Sequence, residues 1–331
     1  MINIVKLPKN DRTVLFSNTA SKMGLNPIVV EKDYWVCYTL DYLFHRSKYK
    51  NAFIFKGGTS LSKAYNVIKR FSEDIDLILD WNLLSKNNNP WENRSKNQQD
   101  KFNKELNDKA AIFIKDQLLP SMINDLSSEI TEPIELIVDD NDILTILFKY
   151  PAIYNDTYIK PEIRLEIGPL AEWTPNHKVE ITPYVADYYK NIFENTKTLI
   201  NTVDVERTFW EKITILHKIA NRDLTKPFPR RYARHYYDVY NMSISHIKFS
   251  AFSNKQLLSQ DITFKMKFYY SKNSSYETCK LGSVRLVPQV DDFDNIKEDY
   301  EQMKKMIFGS IPSFDEIIKE IQNLEKEINS L

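Results

Sequence analysis

The chain has 331 residues, enough for one large domain or two ordinary ones, and 42% of them are hydrophobic, which can furnish a substantial core. Its 45 basic and 45 acidic side chains balance to a formal charge of zero, so a uniformly basic nucleic-acid binder is not indicated, and any contact with nucleic acid must use a local patch. The two distant cysteines, Cys37 and Cys279, predict neither a disulfide framework nor a zinc site, and no apolar run is long enough for a signal peptide or a membrane span, so we expect a cytoplasmic protein without membrane contact.

The chain begins with a helical pattern. Apolar spacing predicts one helix over residues 12–23, a break at residues 24–27, and a second helix over residues 29–44. Glu31 falls near the expected start of the second helix, where the helix dipole stabilises an acidic side chain. Two helices are therefore expected before the first strand.

Residues 53–80, FIFKGGTSLSKAYNVIKRFSEDIDLILD, predict a strand, a glycine turn, a helix and a second strand. Gly57 and Gly58 end the first apolar run, and their missing side chains let the backbone approach another group closely. Thr59 or Ser60 then offers a hydroxyl that can cap the helix. A glycine turn that leads into a helix presents unpaired backbone N–H groups, which favour a phosphate.

The second strand of this stretch carries a pair of acids. The helix is expected to continue to Ile68, and residues 73–80 then alternate strictly. Because successive side chains of a strand point to opposite faces, Asp74 and Asp76 project side by side from one face. Two carboxylates on one rigid strand can hold a hard cation such as Mg²⁺ or Mn²⁺, which takes phosphate oxygens as its other ligands. The stretch therefore predicts a phosphate cradle followed by a metal clamp.

Two other interpretations of this stretch bear on its function. It is not a P-loop, because Lys56 precedes the glycines instead of following them. It could also be a surface turn followed by an edge strand with solvated acids. The close spacing of the glycine turn and the acid pair favours the functional interpretation.

Strand-like runs follow a polar connection at residues 82–99 and a predicted helix at residues 100–126. The runs are β-branched and cover residues 134–138, 143–150, 161–167 and 179–185. In the third of them, Arg164 and Glu166 share one face. Glu166 could be a functional acid or a solvent-facing acid paired with Arg164.

Helical patterns dominate after residue 205. Residues 207–221 have a helical apolar face, and the segment from Lys212 to Arg234 carries seven basic residues against the single acid Asp223. This excess is typical of a solvated basic face, or of a site for a triphosphate tail or RNA phosphates. Residues 282–288 predict a further strand, and Ser313 with Glu316 predicts a capping box before a final helix.

These elements predict an α+β fold in which a mixed sheet is flanked by helices. We expect a core domain over residues 1–200, and a mainly helical domain over residues 201–331 that closes the active-site cleft.

Several segments resemble a known family. KGGTSLSKAY and RFSEDIDL resemble the nucleotidyltransferase signature of the AbiEii toxin family, which includes the MenT-like proteins of bacterial toxin–antitoxin and phage-defence systems. WEKITILHKIANR, RYARHYYDVYNM and the carboxyl-terminal segment are similar to the family as well. The resemblance therefore spans nearly the whole chain.

The resemblance implies a nucleotidyltransferase-like fold for the core domain over residues 1–200. It also implies a Mg²⁺-dependent nucleotidyltransferase that uses a nucleoside triphosphate and is held in check by a cognate antitoxin. In some family members the acceptor is the 3′ end of tRNA. Asp74, Asp76 and a third carboxylate, Glu166, are the implied metal ligands, and Lys212 and Asp238 match later catalytic motifs. The implied nucleotide contacts are Lys56, Gly57, Gly58, Thr59, Ser60, Arg70, Ser72, Lys212, Arg231 and Arg234.

Some alternatives stay open at this point. Either Glu166 or Asp238 could activate the acceptor hydroxyl, and Asp238 could instead pair with an arginine. A small molecule could replace RNA as the acceptor, although the basic segment favours a polyanion. A catalytically silent nucleotide-binding or antitoxin-binding module is a further alternative, which the retention of both aspartates and Lys212 disfavours.

Overall fold

The structure of the protein is a computed structural model, which describes residues 2–86, 88–156, 159–171, 173–271 and 274–331. The chain forms two compact units. The core unit contains the chain up to Ala64 together with Ser72–Thr202, and the helical unit contains Tyr65–Phe71 together with Val203–Leu331. The expected division near residue 200 did not anticipate that Tyr65–Phe71 groups with the carboxyl-terminal residues.

The core unit combines helices with one sheet. Its helices are α1 (Ile2–Val5), α2 (Lys9–Met23), α3 (Pro27–Asp41), α4 (Gly57–Lys63), α5 (Lys96–Phe113), α6 (Leu119–Glu129) and α7 (Tyr184–Tyr188). Its strands are β1 (Phe53–Lys56), β2 (Asp74–Leu79), β3 (Glu135–Asp139), β4 (Asp142–Lys149), β5 (Glu162–Gly168), β6 (Asn176–Ile181) and β7 (Thr198–Val203). The strands form a seven-stranded mixed sheet in the order β3-β4-β5-β2-β1-β7-β6.

Strand β2 lies at the centre of this sheet. It pairs in parallel with β5 and antiparallel with β1. The register places Asp74 beside Arg164, and Asp76 between Glu166 and Lys56. Neighbouring strands lie about 4.8 Å apart, so these charged side chains are brought close together on one face.

The opposite face of the sheet forms the hydrophobic core. Helices α3, α5 and α6 contact the sheet, and aromatic residues of α3 pack with aromatic residues of β4 and the segment after it. Trp35 stacks on Tyr150, with ring centroids 5.2 Å apart. The alternation of β2 therefore separates a buried apolar face, which includes Ile75 and Leu77, from the acidic face.

Helix α3 starts earlier than its apolar pattern predicts. Asn26 caps it by accepting a hydrogen bond from the N–H of Ile28, so Glu31 lies beyond the first turn and the expected dipole role does not apply. Glu31 is buried instead, and its carboxylate accepts hydrogen bonds from the N–H groups of Ile153 and Tyr154. Burial raises the pKa of Glu31 to about 7.

The helical unit contains α8 (Val205–Ala220), α9 (Ala233–Ser243), α10 (Ile247–Ser253), α11 (Gln256–Phe268), α12 (Phe293–Met303) and α13 (Phe314–Asn329). The segment Tyr65–Phe71 is fastened to it by backbone hydrogen bonds. The N–H of Phe71 donates to the carbonyl of Met306, and the N–H of Phe308 donates to the carbonyl of Lys69. The segment that precedes β2 is thus held by residues more than 200 positions later.

The predicted capping box of the last helix is confirmed. Ser313 accepts from the N–H of Glu316, whose carboxylate accepts from the N–H of Ser313. The buried residues of α13 include Ile317, Ile321 and Leu324, at the spacing of a single helical face. Among the described residues, no helix is both long and apolar enough to cross a membrane.

Several element predictions are wrong in detail. Helix α4 ends at Lys63 instead of Ile68, and Asn66 follows with a φ of 50°. The strand predicted over residues 179–185 ends at Ile181, and the strand predicted over residues 282–288 is absent from the part of the chain that the structure describes there. Strand β7 was not predicted.

Candidate active site

The acidic face of β2 presents the predicted carboxylate pair. Asp74 and Asp76 are both half-buried, and they alternate with the fully buried Ile75 and Leu77. Glu166 of β5 lies beside Asp76 in the register and has a side chain that is 44% exposed. The sheet therefore brings the three predicted carboxylates onto one face.

Gly57 is shaped to admit one of these carboxylates. Its φ of 85° lies in the left-handed region, and a Cβ built on it would lie 1.8 Å from Oδ2 of Asp76. Any side chain at this position would therefore collide with the Asp76 carboxylate. The glycine turn and the acid pair form one tightly packed feature, as the sequence spacing predicted.

The hydroxyls that follow the turn serve a different purpose from the one predicted. Helix α4 begins at Gly57 with Lys56 at its N-cap position, so neither Thr59 nor Ser60 caps it. The Thr59 hydroxyl donates to the backbone carbonyl of Asp74, and the Ser60 hydroxyl donates to the carbonyl of Gly57 at 2.8 Å. Both side chains are buried: Thr59 holds the turn against β2, and Ser60 stabilises the turn itself.

Arg164 was considered in the sequence only as a partner of Glu166. Its Nη1 lies 2.8 Å from Oδ2 of Asp139. Its Nε lies 3.9 Å from Oδ1 of Asp74 and 3.9 Å from Oε1 of Glu166. The guanidinium therefore lies among the carboxylates of the site and contacts more than the single acid that was considered.

The two aspartates fit a magnesium or manganese site of the kind that relies on substrate phosphates. Within the described residues, no three His, Cys, Asp or Glu side chains are grouped closely enough to hold a metal by themselves. Mg²⁺ commonly uses only one or two carboxylates and completes its shell with water and phosphate oxygens. Asp74 and Asp76 share one face of β2, with Asp76 directly against Gly57, and match that donor set. Asp74 and Glu166 each also lie 3.9 Å from Nε of Arg164.

Two buried ion pairs hold the turn and the strand in place, and the sequence analysis missed both. Lys63, at the end of α4, lies 2.6 Å from Oδ1 of Asp33 on α3. Lys32, the residue before Asp33, lies 2.7 Å from Oε2 of Glu73, the residue before Asp74. Lys32 and Asp33, consecutive residues of α3, therefore hold the residue before β2 and the end of α4. In the sequence, the run Glu-Lys-Asp at residues 31–33 was the only indication of these two ion pairs.

The helical unit carries the second group of predicted residues. The Asp238 carboxylate is fully buried and receives two hydrogen bonds from Arg70, at 2.7 and 2.9 Å, and one from Lys212 at 2.8 Å. Burial alone would raise the pKa of Asp238, but the charges of Arg70 and Lys212 outweigh it and hold the pKa below its usual range. Asp238 thus pairs with an arginine, which was one of the two alternatives, and also with the motif lysine.

His235 and Arg234 extend this cluster. His235 Nδ1 lies 3.2 Å from Nζ of Lys212, and burial together with the charges of Lys212 and Arg234 holds the pKa of His235 well below its usual range. The ring is therefore neutral at pH 7, and its Nδ1 can accept a hydrogen bond from the ammonium group of Lys212. Arg70, Lys212 and Arg234 bring three positive charges against the one carboxylate of Asp238, an excess that suits an anion.

Two further predicted nucleotide contacts are Arg231, at the surface of the helical unit, and Ser72, in the core unit. Arg231 is exposed with a φ of 63°, and Asp299 accepts its N–H together with that of Ala233. The Arg231 side chain lines a surface pocket of 510 Å³ that Phe228 and Arg230 also line. Ser72 is half-buried and belongs to the core unit.

The Asp238 cluster yields a stability prediction. Asp238→Asn should lower the free energy of unfolding by about 3–5 kcal/mol, because it leaves the buried charges of Arg70 and Lys212 without their carboxylate. The folded-state pKa of Asp238 lies below the unfolded value of about 3.9, so its stabilising effect is complete above that pH and is lost as the pH falls. Urea unfolding at pH 7 and at pH values below 4 measures both effects.

The control for this prediction is Glu301→Gln. It removes an acid of the same unit whose partner Lys304 is at the surface, and it should change the free energy of unfolding by less than about 0.5 kcal/mol. Two results would contradict the role assigned to Asp238. One is equal stability of the two variants at pH 7, and the other is a difference in unfolding free energy between the wild type and Asp238→Asn that grows as the pH falls.

Comparisons with known proteins identify the fold and the family of this chain. The structure is similar to that of MenT4, a nucleotidyltransferase toxin from Mycobacterium tuberculosis H37Rv, with a TM-score of 0.57, 13% sequence identity, and coverage of 98% of this chain and 90% of that chain. This similarity and the mixed sheet with flanking helices confirm the predicted α+β, nucleotidyltransferase-like fold.

The family is established by sequence. The model described as "Nucleotidyl transferase AbiEii toxin, Type IV TA system" matches residues 41–320. The chain therefore belongs to the AbiEii family of nucleotidyltransferase toxins from type IV toxin–antitoxin systems, which confirms the resemblance noted in the sequence. No curated protein matches the chain.

Proposed function

We propose that this nucleotidyltransferase transfers a nucleoside monophosphate from a nucleoside triphosphate to a hydroxyl of an RNA acceptor, such as the 3′ end of tRNA. The observation that carries the proposal is the packing of Asp76 over Gly57, which places the Asp74–Asp76 pair directly against the glycine turn. A cation clamp and a close backbone approach in one place suit a triphosphate.

The core unit would bind the reacting groups. Asp74 and Asp76 would hold Mg²⁺ or Mn²⁺, which would offset the charge of the phosphate oxygens when bound. Lys56 and the turn at Gly57 and Gly58 would contact the phosphates, with Ser72 as a further contact. Thr59 and Ser60 would act by holding the turn, because their hydroxyls bond to the backbone.

Glu166 is the better candidate for the acid that activates the acceptor. Its side chain is 44% exposed and lies beside Asp76 in the register, whereas Asp238 is buried with both oxygens hydrogen-bonded. Glu166 would accept the hydroxyl proton as the acceptor oxygen bonds to the α-phosphorus, and the bond from that phosphorus to the pyrophosphate oxygen breaks. Asp238 would position Lys212.

The helical unit would supply positive charge. Lys212 and Arg234 belong to a cluster with three cations and one carboxylate, and such an excess favours phosphate oxygens. Arg231, exposed beside Arg230, would contact phosphates of the nucleotide or of the RNA. Arg70 would act indirectly, since its guanidinium is bonded to Asp238.

Label transfer tests this proposal. Purified protein is incubated with each α-³²P-labelled nucleoside triphosphate in turn and with total tRNA, in Mg²⁺, in Mn²⁺ or in EDTA. We expect label on RNA with at least one nucleotide, none in EDTA, and recovery when either metal is added back.

The other outcomes separate the alternatives. Label on a small molecule or on protein would replace the RNA acceptor while keeping the transferase. Tight nucleotide binding that is the same with and without metal, and no transfer to any acceptor, would favour a silent binding module. As a member of a type IV toxin–antitoxin family, the protein is also expected to be neutralised by a cognate antitoxin.

A further inference from the structure

Arg164 is held firmly on the acidic face of the sheet. It lies on β5 opposite Asp74 of β2, and its Nη1 contacts Oδ2 of Asp139 at 2.8 Å. Asp139 is itself fixed, because Oδ1 accepts hydrogen bonds from the backbone N–H and the side-chain amide of Asn141, at 3.0 and 3.3 Å. The hydrogen bond from Asn141 and the contact with Arg164 hold the pKa of Asp139 below its usual range, so the anchor is ionised at neutral pH.

The other side of the same guanidinium faces the site. Nε lies 3.9 Å both from Oδ1 of Asp74 and from Oε1 of Glu166. These distances are ion-pair distances, and the Arg164 side chain is 69% shielded from solvent, as only 31% of it is exposed. The cation is therefore anchored at one end and neutralises two of the three carboxylates at the other.

We propose that Arg164 competes with the divalent metal for Asp74, and so makes tight metal binding depend on the nucleotide. The inference deepens the proposed function and rests on its assignment of Asp74 and Asp76 as metal ligands. In the nucleotide-free protein, a metal must displace or repel a guanidinium that is already fixed among its ligands. Free Mg²⁺ or Mn²⁺ is consequently bound weakly.

A triphosphate changes this balance. Its phosphate oxygens carry negative charge to the same face, so the guanidinium gains a new partner and the metal gains new ligands. Arg164 can turn from Asp74 toward phosphate while Asp139 keeps hold of Nη1. Nucleotide and metal then raise each other's affinity, and this coupling is reciprocal. Arg164 would thus keep the metal affinity of Asp74 and Asp76 low until a nucleotide is bound.

Manganese binding measures the effect without any catalytic turnover. Titration of Mn²⁺ into the nucleotide-free protein, followed by electron paramagnetic resonance of the unbound ion, gives the affinity at pH 7.5. Arg164→Met should bind Mn²⁺ about tenfold more tightly than the wild type, because it removes a mostly shielded positive charge about 4 Å from the carboxylate of Asp74. Adding a non-hydrolysable nucleoside triphosphate should raise Mn²⁺ affinity by a smaller factor in this variant than in the wild type.

Two further variants separate this role from a general change of charge or of fold. Lys149→Met also removes a cation from this face, but Lys149 contacts Glu135 at 3.0 Å and lies opposite Glu162 in the register, so Mn²⁺ affinity should change less than about twofold. Arg164→Lys keeps the charge and should stay within about threefold of the wild type.

Three results would overturn the inference. Arg164→Met could bind Mn²⁺ as weakly as the wild type, or no more tightly than Lys149→Met, or with the wild-type dependence on nucleotide. The double variant Asp74→Asn/Asp76→Asn shows which claim has failed. If it binds Mn²⁺ as the wild type does, the metal assignment of the proposed function falls and the inference with it. If it loses Mn²⁺ binding while Arg164→Met is unchanged, the inference alone falls.

Discussion

Asp76→Asn is expected to reduce nucleotide transfer by about a thousandfold or more while leaving the fold intact. The amide has the shape of the carboxylate and still fits over Gly57, but it removes one of the two negative charges that would hold the metal. The free energy of unfolding should stay within about 1 kcal/mol of the wild-type value. Initial rates of label transfer, measured beside urea unfolding, separate loss of chemistry from loss of structure.

The matched control is Asp80→Asn. Asp80 follows the same strand, and its side chain accepts from the N–H of Asn82 at 2.9 Å, a role that asparagine can also fill. This variant should keep wild-type transfer. If Asp76→Asn retained more than about a tenth of the wild-type rate, or if both variants lost activity equally, Asp76 would not be a metal ligand in the reaction.

The acid pair could be predicted from sequence because its geometry is local. Strict alternation through Asp74 and Asp76 decides which face both side chains share, whatever else surrounds the strand. The close approach of Gly57 to Asp76 follows from the pairing of β1 with β2, in which Lys56, the residue before Gly57, lies opposite Asp76. By contrast, the contact between Arg164 and Asp139 depends on the register of three strands, and the pair of Lys63 with Asp33 depends on how two helices pack. One sequence does not reveal such long-range pairings.

The segment of residues 282–288 shows why an apolar alternating pattern can mislead. It has the composition of a strand, but its backbone N–H groups are satisfied by side chains of helices instead of a neighbouring strand. Val284 donates to the side chain of Asn329 at 2.8 Å, and Val287 donates to Glu325 at 3.0 Å. Local pattern indicates an extended backbone, and the hydrogen-bond partner decides whether that backbone joins a sheet.

In the helical unit, too, the sequence did not reveal a pairing between residues far apart in the chain. The motif residues Lys212 and Asp238 were found by resemblance, and the sequence left open whether Asp238 acts on substrate or pairs with an arginine. Arg70 lies 168 residues before Asp238, and only the folded chain shows that it donates two hydrogen bonds to that carboxylate. The prediction of Arg70 as a direct nucleotide contact assumed a guanidinium that a ligand can reach. In the structure, Nε and Nη2 of that guanidinium both donate to Asp238.

Gly57→Ala is expected to have the second large effect. Alanine at a φ of 85° costs about 1–2 kcal/mol in backbone strain, and its Cβ would meet Oδ2 of Asp76 at 1.8 Å, so the carboxylate must move. The free energy of unfolding should fall by about 2 kcal/mol or more, and transfer should fall about a hundredfold, because a displacement of about 1 Å in a reacting group has that effect on rate. Urea unfolding and label transfer measure the two losses.

Gly168→Ala is the matched control, since Gly168 lies on β5, a Cβ on it would meet nothing within 4 Å, and its φ lies outside the left-handed region. It should leave both stability and transfer near wild-type values. The cause of the Gly57 effect can be separated further in the Asp76→Ala background, where the nearest atom in the clash is gone. Gly57→Ala should cost less stability there than in the wild type, by the part of the loss that comes from the carboxylate. If the two costs are equal, backbone strain alone explains Gly57, and the close packing of turn and acid does not contribute to the stability of the site.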